Sequence, residues 1–207
     1  MKKIHGNGIK SHGLGKIRKE ITMWKYEKKL QYPVNIQEKN LKMAKYMLTQ
    51  YGGPAGELAA ACQYLDQRYN MPDEKGKSLL TDIGTEELSH VEMISTMIYQ
   101  LTKNATAKEL EEEGLGCLYA QFGNDLFPSD SFGNPFNTSY IKVSGDYIAN
   151  LESDMAAELR AKATYEHLMD LTDDPSILAP LSFLRQREIV HYQRFKELRD
   201  YYKNKNS

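Results

Sequence analysis

Two short stretches of this chain place a carboxylate and an imidazole three residues apart. TEELSHVEM carries Glu87 and His90, and REIVHYQRF carries Glu188 and His191. Each pair has a further glutamate 30 residues before its own, Glu57 before Glu87 and Glu158 before Glu188. Helical residues three and four apart share a face. Glu87 shares its face with Leu80, Ile83, Val91, Ile94 and Ile98, and Glu188 with Leu181, Leu184, Tyr192 and Phe195. Glu57 lies with Ala60, Ala61, Tyr64 and Leu65, and Glu158 with Leu151, Met155, Ala161 and Tyr165. All four carboxylates therefore point at an apolar interior.

An unpaired buried charge costs several kcal/mol. Four of them would outweigh the whole stability of an average domain, about 5 to 15 kcal/mol. Lys and Arg are absent from the middle of these stripes, with only Lys162 and Arg185 at their edges. Bound metal is the simplest compensation. An isolated Glu-x-x-His on a helix is ordinarily a solvated surface pair, but here two occur on apolar stripes with partners at matched distance. Carboxylates and imidazoles without thiolate suit manganese or iron better than zinc. Two such ions, bridged by carboxylate, can exchange two electrons with peroxide or dioxygen, and a carboxylate left out of the metal sphere can move the protons.

The residues around the motifs sort by face. Glu86 and Glu92 flank the first motif on other faces and are expected to meet solvent. His167 lies half a turn off the face of Glu158. Asp154 shares that face and receives no role. Tyr64 and Tyr165 each follow a glutamate by seven residues, and their buried hydroxyls need partners that ligand carboxylates could provide.

Helices must position these groups. QEKNLKMAKYMLTQ, residues 37–50, reads as a short helix. YGGPAG breaks it, with Pro54 suited to the first turn of the next. A second helix is expected over about 56–69. A third spans about 77–102, where Leu80, Ile83, Leu88, Val91, Ile94, Ile98 and Leu101 keep a helical period. Two more span about 147–170 and 177–203. The turns NMPDEKG and LTDDPS are short, so each joins antiparallel neighbours. Residues 103–145 form a long crossover, rich in aromatics, Gly and Pro, that packs on the bundle or on a neighbouring subunit. Strand signals are weak except at 140–143. The expected fold is all-α: a ferritin-like four-helix bundle of two antiparallel hairpins joined by a long crossover.

Bulk properties narrow the remaining choices. A net charge of −1, with 41% hydrophobic and 27% charged residues, gives no drive toward nucleic acid or acidic membranes. No apolar run approaches the roughly 20 residues of a spanning helix. Cys62 and Cys117 do not suggest a disulfide framework and fit a reducing compartment. Residues 1–22 carry six Lys/Arg against one acid and four glycines, which reads as a basic mobile leader rather than a secretory signal. His5 and His12 in it take no role. Residues 23–207 form the expected domain, with Met23 as a plausible native start.

GGPAGELAAACQYL, LLTDIGTEELSHVEMISTMIYQL and FLRQREIVHYQRF resemble the manganese catalases, and MWKYEKKLQYP resembles that family's start. The resemblance runs over about residues 23–200, and the short length is most similar to the catalase-like proteins of the bacterial spore coat. It implies two manganese ions and the disproportionation of hydrogen peroxide to water and dioxygen. By motif, Glu57 and His90 resemble ligands of one ion, Glu158 and His191 those of the other, and Glu87 the carboxylate that bridges them. Glu188 matches a glutamate held just outside the metals that handles protons, whereas the internal repeat would make it a second bridge. Tyr64 resembles a tyrosine that hydrogen-bonds the first glutamate. Ala157 stands where some manganese catalases carry an arginine guarding the site. The longer catalases also have a tail that wraps neighbours in a hexamer, and this chain stops at Ser207, so a homo-oligomer is expected without the hexamer being specified. The implied location is the spore coat after cytoplasmic synthesis, with other coat proteins as partners. A structural coat protein retaining the metal site, and a di-iron oxidase on the same bundle, are the alternatives.

Overall fold

A computed structural model describes residues 29–205 apart from 121, 122 and 124. The expected leader with His5 and His12, and the expected start at Met23, lie outside the described residues. Among the described residues six α-helices follow one another: α1 (Leu41–Gly52), α2 (Glu57–Gln67), α3 (Glu74–Thr102), α4 (Ala107–Glu112), α5 (Tyr147–Met169) and α6 (Pro175–Lys205). α2 packs chiefly on α3, and α5 on α6, so the two hairpins form as the short turns predict. α1 lies against α3. The architecture is the ferritin-like helical bundle.

Local chemistry sets the helix ends. Asn40 caps α1 by accepting from the Met43 amide at 3.0 Å, and its own amide donates to the Leu101 carbonyl. That is why α1 starts later than residue 37. Asp73 accepts from the Gly76 amide at the start of α3, and Asp146 accepts from Ile148 and Ala149 at the start of α5. α6 opens with Pro175, where a missing N–H costs nothing, beside Asp174, which accepts from the Ser176 amide. Gly84 permits the close approach of α2 and α3, since a Cβ there would lie 2.8 Å from Leu65 Cγ.

The buried apolar side chains form two clusters. One gathers Met47, Met93, Met97, Tyr165, Leu181 and Leu184, and the other Tyr64, Leu80, Ile83, Met155, Phe195 and Leu198. Along α3, α5 and α6 the candidate residues Glu87, His90, Glu158, Glu188 and His191 lie between residues of the two. Leu88, counted in the helical period of α3, is 46% exposed, because it projects away from the face that carries Glu87.

The crossover folds onto the bundle. α4 and a π-helical turn at Gly116–Ala120 precede an irregular segment, and Leu110, Leu115 and Tyr119 join the first apolar cluster. No strand forms at 140–143. Thr138–Tyr140 is a 3-10 turn, and the only bridge among the described residues is the isolated pair Ser129–Pro135. The backbone of Lys142 is satisfied by side chains instead. Its amide donates to Gln63 Oε1 at 2.9 Å, and its carbonyl accepts from Gln67 Nε2 at 2.6 Å. Two glutamines of α2 take the place of a neighbouring strand.

Candidate metal centre

Glu57 begins α2, Glu87 and His90 lie mid-way along α3, Glu158 in α5, and Glu188 and His191 in α6. All six side chains are buried, none more than 2% exposed. Their donor atoms fall into two groups, each within 4.8 Å: Glu57, Glu87, His90 and Glu188 in one, and Glu87, Glu158 and His191 in the other. Glu87 belongs to both.

Glu87 occupies the centre. Its Oε2 lies 2.7 Å from His90 Nδ1 and its Oε1 lies 2.8 Å from His191 Nδ1. The two rings face each other with centroids 5.6 Å apart and planes 20° from parallel. Glu188 is more remote, with Oε1 3.7 Å from His90 Nδ1. The close contacts of Glu87 are not aligned as hydrogen bonds. Both Glu87 oxygens, both His90 nitrogens, Glu158 Oε2, Glu188 Oε1 and His191 Nδ1 are buried without a hydrogen-bond partner. Buried polar atoms are rarely left so. All but His90 Nε2, which faces Glu86, converge on shared points, as donor atoms around cations do, and they are hard oxygens and imidazole nitrogens that fit two manganese or iron ions.

The charges respond accordingly. Burial raises Glu57 to about 6 and Glu158 to about 8, the latter with help from the neighbouring Glu87 charge. Burial, with the charges of Glu57 and Glu158, holds Glu188 well above the usual carboxylate range. Burial would lower His90, but the Glu87 charge overcomes it and holds the imidazole up at about 10. Burial likewise opposes His191, which Glu87 and Glu86 raise to about 11. Burial also acts against ionisation of Glu87, yet the two imidazoles keep it well below the usual range. Without metal, these shifts favour an ionised Glu87 beside two protonated imidazoles.

The tyrosines cross between hairpins. Tyr64 donates to Glu158 Oε1 at 2.5 Å, and Tyr165 donates to Glu57 Oε1. The expectation that Tyr64 reaches the first glutamate, Glu57, is corrected. Each tyrosine extends across the bundle core to the other hairpin's carboxylate, because the facing helix is nearer to the ring tip than its own previous turns.

Glu86 is a second correction. It does not face solvent: its side chain is 15% exposed and sits behind both imidazoles. Its Oε2 lies 3.0 Å from His191 Nε2, and its Oε1 lies 3.8 Å from His90 Nε2. Arg187 Nε donates to Oε1 at 2.6 Å and Nη2 to Oε2 at 3.2 Å, and Gln31 Nε2 donates to Oε1 at 2.6 Å. Despite its partial burial, His191, Arg187 and Gln31 hold this carboxyl well below the usual range. Such a carboxylate fixes the tautomer of a ligating histidine and turns its other nitrogen toward the metal. Glu92 is half-buried. His167 is exposed and away from the centre. Asp154 is fully buried one turn before Glu158, accepts from Gln63 Nε2 at 2.8 Å, and is raised by burial to about 8.

A bundle with two carboxylate-and-histidine groups sharing one glutamate is a dinuclear metal protein of the ferritin-like type. The model of the family described as manganese containing catalase matches residues 23–206, and the chain belongs to that family. Protein CotJC of Bacillus subtilis is 56% identical over 175 residues, 84% of this chain and 92% of that one. A probable manganese catalase of Clostridium acetobutylicum is 38% identical over 89% of this chain and 83% of its own length. The crystal structure of KatB, a manganese catalase from Anabaena, superposes with a TM-score of 0.79 at 37% identity, over 86% of this chain and 80% of that one.

Proposed function

We propose that the protein disproportionates hydrogen peroxide to water and dioxygen at a centre holding two manganese ions. The observation that supports this reading best is the buried Glu87, whose two oxygens face one histidine each amid donor atoms that have no other partner. Family membership supports the metal and the substrate.

Glu57 and His90 would hold one ion and Glu158 and His191 the other, with Glu87 available to both. The bound ions supply a two-electron couple. One peroxide gives up two electrons and two protons to become dioxygen, and a second takes them up to become two waters. Glu188 holds and returns protons at Oε1, the oxygen without a partner. In the metal-free centre, burial and the surrounding carboxylates favour its protonated form. Tyr64 and Tyr165 orient Glu158 and Glu57 through their hydroxyls. Glu86 holds His191 with Nδ1 inward. The apolar clusters above and below exclude bulk water.

We further propose a place in the spore coat after synthesis in the cytoplasm, as a homo-oligomer among other coat proteins; the identity with Protein CotJC supports the coat placement. No helix among the described residues is long and apolar enough to cross a membrane. Iron is the competing metal, since the same donors accept it. Protein produced with both metals available is expected to carry two manganese per chain by elemental analysis and to release oxygen from peroxide. Iron in the site, or manganese-loaded protein that releases no oxygen, contradicts the proposal.

A further inference from the structure

Residues 29–36 form an irregular strap across α3 and α6. Its apolar side chains fix it there. Ile36 is buried, Leu30 and Val34 pack on the first apolar cluster, and Tyr32 stacks on Phe183 of α6 with ring centroids 4.9 Å apart. Gln100 of α3 holds the backbone, accepting from the Ile36 amide at 2.7 Å and donating to the Val34 carbonyl at 3.2 Å. The strap thereby sets Gln31, itself exposed, against Glu86. Gln31 Nε2 donates to Glu86 Oε1 at 2.6 Å, and Gln31 Oε1 accepts from Ser89 at 2.5 Å. An ionised carboxylate only accepts, so its neighbour must present the amide nitrogen. Glu86 and Ser89 together orient the amide.

We propose that Gln31 is a positioning residue for the metal centre, which holds Glu86 toward His191 rather than His90 and so makes the two histidines unequal as ligands. This rests on the reading of the site as a dinuclear metal centre, and not on the reaction it performs. Glu86 faces both imidazoles at different distances. Its Oε2 lies 3.0 Å from His191 Nε2, whereas its Oε1 lies 3.8 Å from His90 Nε2. Oε1 is the oxygen that Gln31 occupies, together with Arg187 Nε. Arg187 bonds both oxygens, so Gln31 is the contact that singles out one. The consequence is visible at His90, whose Nε2 is buried without a partner. A buried polar atom left unpaired is costly, so a Glu86 released by Gln31 has reason to turn toward it. A carboxylate behind a ligating imidazole raises its basicity. His191 is therefore the better-supported ligand, and the ion it holds is the one retained longer.

Gln31→Met keeps the length of the side chain and removes the amide. Gln31 is exposed, so the Tm of the manganese-loaded variant is expected to stay near that of wild type. Manganese release to a chelator is expected in two phases in wild type. Gln31→Met is expected to narrow the ratio of the two rates by about threefold to tenfold, below the 10- to 100-fold typical of a partner that touches the ligand itself. The EPR spectrum of the loaded protein, which responds to unequal ligation of the two ions, is expected to change with it. Both effects are expected to vanish when Gln31→Met is made in a Glu86→Ala background, because Gln31 acts through Glu86. A single phase in wild type, an unchanged ratio in Gln31→Met, or an effect of the same size without Glu86 would overturn the role of Gln31. Protein that shows these effects but releases no oxygen from peroxide keeps that role and overturns the catalase reading. Oxygen release with manganese kinetics indifferent to Gln31→Met does the reverse.

Discussion

In the hairpin α2–α3, Glu86 precedes the Glu-x-x-His glutamate, and in the hairpin α5–α6 the equivalent residue is Arg187. The two side chains bond each other across the bundle. Around them the hairpins match closely, with glutamates 30 residues apart, histidines three later, and a tyrosine seven after each first glutamate. The tyrosines even exchange partners symmetrically. Glu86 and Arg187 break the match. Anchored by Arg187, Glu86 sits behind both imidazoles, and Glu87, on the same helix, lies between their Nδ1 atoms. Glu188 is left beside Glu57 and Tyr64, on the lining of a small cavity of about 40 Å³. Two identical motifs thus acquire different surroundings, set in part by the residue before each glutamate.

That contrast is most sharply broken at Glu87. Glu87→Ala removes the carboxylate shared by both groups, and elemental analysis is expected to find both manganese positions lost, with oxygen release abolished. Loss of one ion only would mean the hairpins hold their metals independently. Glu86→Gln keeps the shape but withdraws the charge behind the histidines. Manganese affinity is expected to fall about 10- to 100-fold, and Arg187→Met to fall less, both read by competition with a chelator.

Proton linkage comes next in size. In the metal-free centre His90 is raised to about 10 and Glu158 to about 8, so both hold protons at pH 7. Manganese needs their lone pairs, so binding releases protons and affinity rises with pH. The rise is expected to be about tenfold per pH unit for each proton released, measured by calorimetry in buffers of different ionisation enthalpy.

The smallest effect lies at Asp154. Its ordinary value of 3.8 is raised by burial to about 8, so the folded state keeps a proton that the unfolded chain gives up. The stability associated with that proton is full below about pH 3.8 and is lost as pH rises toward 8. Asp154 Oδ2 and Gln67 Oε1 are both buried without partners, and an amide at position 154 can donate at any pH, whereas the carboxyl can donate only while protonated. Asp154→Asn is expected to stabilise the protein by about 1 kcal/mol, more at pH 8 than at pH 5, in denaturant melts.

The sequence made the six clustered residues legible because a charged side chain on an apolar stripe is a costly anomaly, and the 30-residue repeat tied four of them together. The hairpins followed from short turns between long periodic segments. Other features depended on how the elements meet. Spacing placed Tyr64 on the face of Glu57, but packing of the hairpins sends its hydroxyl to Glu158. Glu86 lies off the apolar stripe, and only the approach of α6, with Arg187, reveals its burial. Residues 140–143 have strand-like composition, yet Gln63 and Gln67 satisfy the Lys142 backbone, and a glutamine on a helix gives no sign of such a partner. The repeat alone could not separate Glu87 from Glu188, since their local sequences are equivalent.

The separation of those two glutamates is tested most directly by measuring manganese per chain and oxygen release in Glu188→Gln. The account predicts two manganese ions retained and oxygen release reduced about 100-fold or more. Loss of manganese to the extent seen in Glu87→Ala, or oxygen release at the wild-type rate, would contradict it.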